Sequence, residues 1–207
     1  ALPAATLSVE SVEAKPYSRR PAAPFRTTTL QQEAGRKLGF TTDRTMRVAQ
    51  ELYESGFITY MRTDSVSLSD EAIKAARAQA RALYGPEYVP DAPRRYASKV
   101  KNAQEAHEAI RPAGDAFRSP EQVERELGKG VEARVYDLVW KRTIASQMTD
   151  ATGETVSVRI GAVTTATDAE FATSGTVITH PGFRLAYVEG SDDPEAEVAD
   201  QERQLPA

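Results

Sequence analysis

A tyrosine and an arginine stand two residues apart in the segment Gly56–Ser65, which reads GFITYMRTDS. A tyrosine hydroxyl is a weak nucleophile at neutral pH, because its pKa of about 10 leaves roughly one molecule in a thousand ionised. In an extended segment, side chains two apart lie on the same face, so Arg62 can hold an anion beside the Tyr60 oxygen and favour the phenolate. This pair therefore has the residue types that phosphoryl transfer requires.

The same segment also fits a purely structural role. Phe57, Ile58, Tyr60 and Met61 could simply form a short buried strand, and Arg62 and Ser65 would then mark the point where it reaches the surface. Spacing alone does not separate this interpretation from the catalytic one, so both stay open at this point.

Two predicted helices flank the segment and would hold it in place. Thr42 is predicted to cap a helix that stops at Gly56, and Ser69 is predicted to cap a second helix that ends at Gly85. Tyr60 would then lie on a short connection between two rigid elements, as a reactive group needs.

The remaining pattern predicts strand, then helices, then strands. Further helices are expected from Thr28 or Thr29 to Leu38, at Gln104–Ala109, from a capping box at Ser119–Gln122 to Gly128, and over 131–148; strands are expected at Thr6–Val12, Val156–Ile160, Thr176–Ile178 and Leu185–Val188. The proline-rich stretch Lys15–Pro24 is expected to be an extended domain boundary. We therefore predict an α+β fold in which a helical domain, residues 21–148, is inserted into a β domain formed by residues 1–20 and 149–190. Residues 191–207 are expected to be an acidic linker or tail.

The charge of the chain is unevenly distributed. Its net charge is -4, yet Lys15–Arg111 carries 17 Lys and Arg against 11 Asp and Glu, and six acidic residues fall between Ser191 and Arg203. A basic half of this kind is compatible with nucleic-acid binding or with ordinary solvated helix faces. The chain has no cysteine and two histidines, so it offers neither a disulfide framework nor a thiolate zinc site. With no apolar run of bilayer length and no secretory signal, we expect a cytoplasmic protein that does not enter a membrane.

Three sequence blocks point to a family. The Tyr60 decapeptide, PFRTTTLQQEAGRKLGF at Pro24–Phe40 and AQEAHEAIRPA at Ala103–Ala113 resemble, in the same order, blocks of bacterial type IA DNA topoisomerases. The similarity is close over roughly residues 15 to 150 and looser at both ends. It implies that residues 21–148 are the helical domain that carries the catalytic tyrosine, and that residues 1–20 and 149–190 are pieces of the β arch that acts as its hinge.

The resemblance also implies an activity. In this family the tyrosine attacks single-stranded DNA, forms a 5′-phosphotyrosine bond, and reseals the strand after another strand has passed, which relaxes negative supercoils without ATP. Tyr60 would be the nucleophile, and Arg62 would be the phosphate clamp that stabilises charge. The expected partners are single-stranded and negatively supercoiled DNA, and the expected setting is a monomer at the nucleoid in the bacterial cytoplasm.

The resemblance implies further site residues and also a gap. His107 matches the family histidine that contacts DNA near the cleavage point, and Thr63, Ser65 and Arg111 are expected to bind DNA with Arg62. Nothing in this sequence resembles the Toprim domain, whose carboxylates hold Mg²⁺ in the family. We therefore expect the missing Toprim and neighbouring domains to supply the metal, and the chain alone to be inactive.

Two other classes of protein remain as alternatives. A tyrosine recombinase or type IB topoisomerase would form a 3′-phosphotyrosine with a dispersed set of arginines and a histidine, whereas here an arginine stands two residues from the tyrosine. A non-catalytic module for single-stranded DNA would need stacking aromatic side chains along a basic groove. Those side chains would come from Tyr53, Tyr84, Tyr88 and Tyr96.

Overall fold

The fold is α+β, as predicted, and is built from two compact units. The computed structural model describes residues 6–97, 108–163, 168–188 and 190. The sheet unit comprises residues 6–19, 150–163 and 168–181, and the helical unit comprises residues 20–97, 108–149, 182–188 and 190. The assignment of these units as hinge and tyrosine domain stays a prediction.

The sheet unit is one antiparallel sheet in the order β1-β2-β3. Its strands are β1 (Thr6–Arg19), β2 (Ala151–Val163) and β3 (Asp168–His180). Thr6 pairs with Val163 and Arg19 with Ala151, with a register shift between Val9 and Ser11. Apolar side chains such as Val9 stay exposed, so the main hydrophobic core lies in the helical unit.

Within its described residues, the helical unit contains five α-helices. They are α1 (Thr27–Leu38), α2 (Thr42–Glu54), α3 (Asp70–Tyr84), α4 (Pro120–Leu127) and α5 (Val131–Ala145). The predicted caps at Ser69 and Ser119 are confirmed, because capping is a local hydrogen bond that short sequences specify. The predicted cap of α1 at Thr28 or Thr29 is wrong, since α1 begins at Thr27 and its cap residue is Arg26. Ser69 accepts from the N–H of Ala72, and Ser119 and Gln122 form the capping box. The cap of α2 is Thr41, one residue before the predicted Thr42.

Helix α5 is the centre of the helical unit. It packs against each of the other four helices, and its side chains Val135, Val139 and Ile144 are fully buried. Trp140, the single tryptophan of the chain, is also buried and donates its indole N–H to Gln79 of α3 at 2.8 Å. The surrounding helices are thus fixed against a common core.

Several predicted element boundaries differ from the structure. Lys15–Arg19 continues β1 instead of forming a separate connection, since pairing with β2 extends that far. The predicted strand at Leu185–Val188 is wrong, because Gly182–Leu185 forms a 3₁₀ turn that belongs to the helical unit. The predicted helix over 131–148 ends at Ala145.

The predicted helix Gln104–Ala109 lies mostly outside the described residues. Glu108 and Ala109 are described and are not helical, and Ile110 and Pro112 form bridges to Phe25 and Ile58. These bridges supply the backbone partners that a helix would otherwise have provided. Among the described parts of the chain, no helix is both long enough and apolar enough to cross a membrane.

Candidate active site around Tyr60

The segment Gly56–Ser65 leaves α2 through a tight turn and leads toward α3. Gly56 has φ of +75°, a left-handed conformation that side chains disfavour, so glycine is required at this turn. The N–H of Phe57 then donates to the carbonyl of Leu52 at 2.8 Å. The end of α2 therefore fixes the point from which the Tyr60 segment starts.

Side chains along the segment alternate between interior and solvent. Met61, Thr63 and Ser65 are buried, whereas Tyr60, Arg62 and Asp64 are exposed, Tyr60 by 43% of its surface. The buried members hold the segment to the core. The exposed members leave a phenol and a guanidinium, two residues apart, accessible to a ligand from solvent.

Tyr60 packs against Tyr53, a residue for which the sequence suggested only stacking with the bases of single-stranded DNA. The ring of Tyr53, in the last turn of α2, lies 5.3 Å from the Tyr60 ring with an interplanar angle of 71°. Edge-to-face contacts of this kind are favourable because the edge and face of aromatic rings carry opposite partial charge. The contact restricts the orientation of Tyr60 while leaving its ring accessible.

Thr27, the first residue of α1, anchors the part of the segment around Arg62. Its hydroxyl accepts from the N–H of Thr63 at 2.9 Å and donates to a carbonyl, with Met61 O at 2.8 Å and Thr63 O at 3.0 Å. Its own N–H donates to Thr63 O at 2.9 Å. The backbone is thus held on both sides of Arg62 from one helix terminus.

Thr59 and the strand-like segment 109–113 anchor the other side. The Thr59 hydroxyl donates to Ala109 O at 2.7 Å and accepts from the N–H of Arg111 at 3.0 Å, and the Thr59 N–H donates to Arg111 O at 2.9 Å. The N–H of Ala113 donates to Phe57 O at 2.9 Å. Tyr60 therefore follows a residue that is fixed through both its backbone and its side chain.

Arg111 serves this scaffold. It is 8% exposed, and its guanidinium donates to Glu108 at 2.6 Å and to the carbonyls of Pro112 and Gly114 at 2.9 Å. A guanidinium committed to these acceptors has few donors left for a phosphate. The geometry therefore favours a structural role for Arg111 over the predicted contact with DNA.

Glu108 links that arginine to the start of α3. It accepts from Arg111 and, at 2.7 Å, from the backbone N–H of the cap residue Ser69. Burial alone would raise the pKa of the Glu108 carboxyl, but these hydrogen bonds and the Arg111 charge outweigh burial and hold the pKa below its ordinary value. Glu108 is thus ionised at neutral pH, which keeps the helix start and the scaffold together.

The other predicted DNA contacts are placed as follows. Thr63, 9% exposed, accepts from the N–H of Ser65, and Ser65, 4% exposed, accepts from the N–H of Ser67. Both side chains thus shape the turn toward α3, which favours a positioning role over direct contact with DNA. His107 lies outside the described residues, so its predicted role stays a prediction. The structure brings together Tyr60, Arg62, Thr63, Ser65 and Arg111 on one scaffold.

No metal-binding cluster is found in the part of the chain that the structure describes. Within residues 6–97, 108–163, 168–188 and 190, no three His, Asp or Glu side chains converge as a metal site would require. Asp64 is exposed beside the candidate pair but stands alone. These described residues do not fit a Mg²⁺ site.

Sequence reasoning missed the two threonines that anchor the segment. Thr59 lies inside the decapeptide, so its position could have suggested a role. Thr27 bonds to residues 34 and 36 positions away, and no local pattern reports a contact at that separation.

The chain matches known proteins along almost its whole length. The sequence model of a family described as DNA topoisomerase matches residues 2–207. DNA topoisomerase 1 of Streptomyces coelicolor is 63% identical over 201 residues, covering 96% of this chain and 21% of that protein. DNA topoisomerase 1 of Mycobacterium tuberculosis H37Rv is 58% identical over 203 residues, covering 97% of this chain and 22% of that protein.

A solved structure is similar as well. Full-length topoisomerase I from Thermotoga maritima matches with a TM-score of 0.70 and 34% sequence identity, over 91% of this chain and 31% of that one. The chain therefore spans about a fifth of the length of the curated relatives that it matches.

Proposed function

The chain belongs to the DNA topoisomerase family, and we propose that it is the tyrosine-bearing segment of a type IA enzyme that cleaves and reseals one DNA strand. The observation that carries this proposal is the exposure of Tyr60 and Arg62, two residues apart, on a segment anchored at both ends. A nucleophile and an anion-binding group that are accessible but held in place are what a covalent phosphoryl transfer needs.

The proposed reaction is a transesterification. The Tyr60 oxygen attacks the phosphorus of a phosphodiester, the bond from phosphorus to the 3′ oxygen breaks, and a 5′-phosphotyrosine and a 3′-hydroxyl result. The proton that the phenol loses is balanced by the proton that the 3′ oxygen gains. Since one ester replaces another, the 3′-hydroxyl can reverse the reaction after strand passage without ATP.

Arg62 is proposed to bind the phosphate under attack. A guanidinium can donate two parallel hydrogen bonds to non-bridging oxygens, which fixes the phosphate beside Tyr60 and stabilises the charge that develops on it. The exposure of Arg62 supports this role. By contrast, the buried Thr63, Ser65 and Arg111 are proposed to keep Tyr60 and Arg62 in place.

The rest of the enzyme is proposed to lie in the longer protein. The chain spans about a fifth of its relatives, so a Toprim domain that binds Mg²⁺, and the domains that enclose DNA, are expected outside it. We propose single-stranded regions of negatively supercoiled DNA as substrate, a monomer as the active form, and the bacterial cytoplasm at the nucleoid as its location. The isolated chain is proposed to be inactive for want of those domains.

The polarity of the covalent bond tests the proposed function. Full-length enzyme containing this segment is mixed with a single-stranded oligonucleotide that is labelled at its 5′ end in one reaction and at its 3′ end in another. Each reaction is stopped with denaturant. A 5′-phosphotyrosine leaves the protein attached to the fragment that carries the original 3′ end, so only the 3′ label should migrate with protein. Retention of the 5′ label would indicate a recombinase-like or type IB reaction. Binding without any adduct would indicate a non-catalytic single-strand module.

A further inference from the structure

We infer that Thr27 is a positioning residue for the cleavage reaction, acting through the backbone on either side of Arg62. The inference rests on the proposed function, because it assigns Thr27 a part in placing the group that binds the scissile phosphate. Thr27 is outside the Tyr60 decapeptide and does not touch the reacting atoms; its contacts are with Met61 and Thr63.

Thr27 bonds to the backbone of both residues that flank Arg62. The Thr27 hydroxyl receives the N–H of Thr63 at 2.9 Å and gives its single hydrogen to Met61 O at 2.8 Å or Thr63 O at 3.0 Å. The Thr27 N–H also donates to Thr63 O at 2.9 Å. The backbone groups that precede and follow Arg62 therefore bond to a single residue.

Thr27 is itself fixed. It begins α1, in which Leu30 and Ala34 are fully enclosed in the core of the helical unit. Its N–H is one of those that the first turn of a helix leaves without an intrahelical partner, and the Thr63 carbonyl satisfies it. The position of the 61–63 backbone is therefore set by a rigid element and not by the exposed segment alone.

Arg62 depends on this backbone. Its side chain is exposed, and among the described residues its guanidinium makes no hydrogen bond or ion pair. The rotamers of such a side chain are not fixed by contacts, so the 61–63 backbone is what sets the point from which the guanidinium reaches a ligand. Loss of the Thr27 hydroxyl would let the 61–63 backbone shift, and displacements of about 1 Å at a catalytic group can reduce rates by about 10²-fold.

The test is the rate constant for single-turnover cleavage of a single-stranded oligonucleotide by the full-length enzyme. Thr27→Val removes the hydroxyl but keeps the branched shape, and the expected loss is about 10- to 100-fold. Thr27→Ser keeps the hydroxyl and should restore most of the rate. Thr29→Val is the matched control. Among the described residues, the Thr29 hydroxyl bonds only to Arg26 at the start of the same helix, at 3.1 Å for both contacts, so this variant weakens the helix start without touching the 61–63 backbone.

A double-mutant cycle separates positioning from a general effect on folding. If Thr27 acts by placing Arg62, then Thr27→Val should cost little further rate in an Arg62→Ala background. An equal loss in both backgrounds, equal losses for Thr27→Val and Thr29→Val, or a Thr27→Val rate within two-fold of wild type would each overturn the inference. Thr27→Ala replaces the valine variant in the same cycle if the latter fails to fold.

Failure of the inference and failure of the proposed function give different results. If Tyr60→Phe abolishes the covalent adduct while Thr27→Val cleaves normally, only the role of Thr27 is wrong. If Tyr60→Phe still forms the adduct, the proposed function is wrong and the role of Thr27 falls with it.

Discussion

At the scale of single residues, the site depends on which side chains the Tyr60 segment leaves in solvent. Tyr60 and Arg62 are exposed, while their neighbours Met61 and Thr63 are buried. The buried side chains hold the segment against the core, and the exposed side chains are accessible for binding DNA. The exposure of Tyr60 also removes the simplest structural interpretation, in which Tyr60 would have been a core residue.

Arg62→Lys is predicted to impair cleavage far more than the retained positive charge suggests. An ammonium is a compact charge that cannot reproduce the two parallel hydrogen bonds of a guanidinium on a phosphate. We expect a loss of about 10²-fold in the single-turnover cleavage rate of the full-length enzyme, similar to the loss of one preorganised electrostatic partner elsewhere.

The matched control for Arg62→Lys is the same substitution at another exposed arginine, Arg26→Lys. Arg26 is also exposed and stands at the start of α1, but it lies outside the Tyr60 segment and should tolerate the change. A cleavage rate for Arg62→Lys within two-fold of wild type would rule out bidentate phosphate binding by Arg62.

The candidate site residues could be named from sequence. Which of them are exposed to a ligand and which are buried to hold the segment could not be predicted. The decapeptide and its resemblance to a family point to Tyr60 and Arg62. They also point to Thr63, Ser65 and Arg111, and nothing in the sequence indicates that these three are buried. Exposure depends on the packing of α1 and residues 109–113 against the segment, which a local pattern does not contain.

At the scale of elements, the sequence predicts structure well where it depends on neighbouring residues and poorly where it depends on contacts between residues distant in the chain. The caps at Ser69 and Ser119 depend on residues three positions apart, and both were predicted. The apolar pattern of Leu185–Val188 predicts a strand there, but Gly182–Leu185 is a 3₁₀ turn. The segment 182–187 folds back on α1 and α5, where the Tyr187 hydroxyl donates to Glu33, 154 residues away.

Tyr187→Phe is predicted to destabilise the helical unit by about 1.5–3 kcal/mol. Glu33 is 2% exposed and also accepts from the N–H of Gly190 at 3.1 Å and pairs with Arg36 at 3.2 Å. Loss of the tyrosine hydroxyl leaves this buried carboxylate with one donor fewer, and hydrogen bonds to charged groups are worth about 1.5–3 kcal/mol. Urea unfolding followed by Trp140 fluorescence reports on the helical unit, because Trp140 is the only tryptophan and is buried there.

Leu185→Ala is the control for that measurement. Leu185 lies in the same segment but is 48% exposed, and exposed substitutions usually change stability by less than about 0.5 kcal/mol. Equal unfolding free energies for Tyr187→Phe and wild type would mean that Glu33 does not need the tyrosine and that the segment is held by other contacts.

At the scale of the whole molecule, we propose that the chain holds part of an active site. Tyr60 and Arg62 are its proposed nucleophile and phosphate-binding cation, and no metal cluster is found among its described residues. The chain also spans about a fifth of its relatives. Losing a preorganised electrostatic partner typically costs about 10²–10³ in rate, so the isolated 207-residue chain is expected to bind single-stranded DNA weakly and to form no detectable covalent adduct.

The most direct measurement of the central claim is covalent trapping of labelled single-stranded DNA by full-length enzyme with Tyr60 and by its Tyr60→Phe variant. The change removes one oxygen from a side chain that is 43% exposed, so the fold and DNA binding should be nearly unchanged. We predict that wild-type enzyme yields a protein–DNA adduct that survives denaturation, and that Tyr60→Phe, bound equally well to the same oligonucleotide, yields none. An adduct formed by the Tyr60→Phe enzyme would contradict the account, because the nucleophile would then have to be another residue.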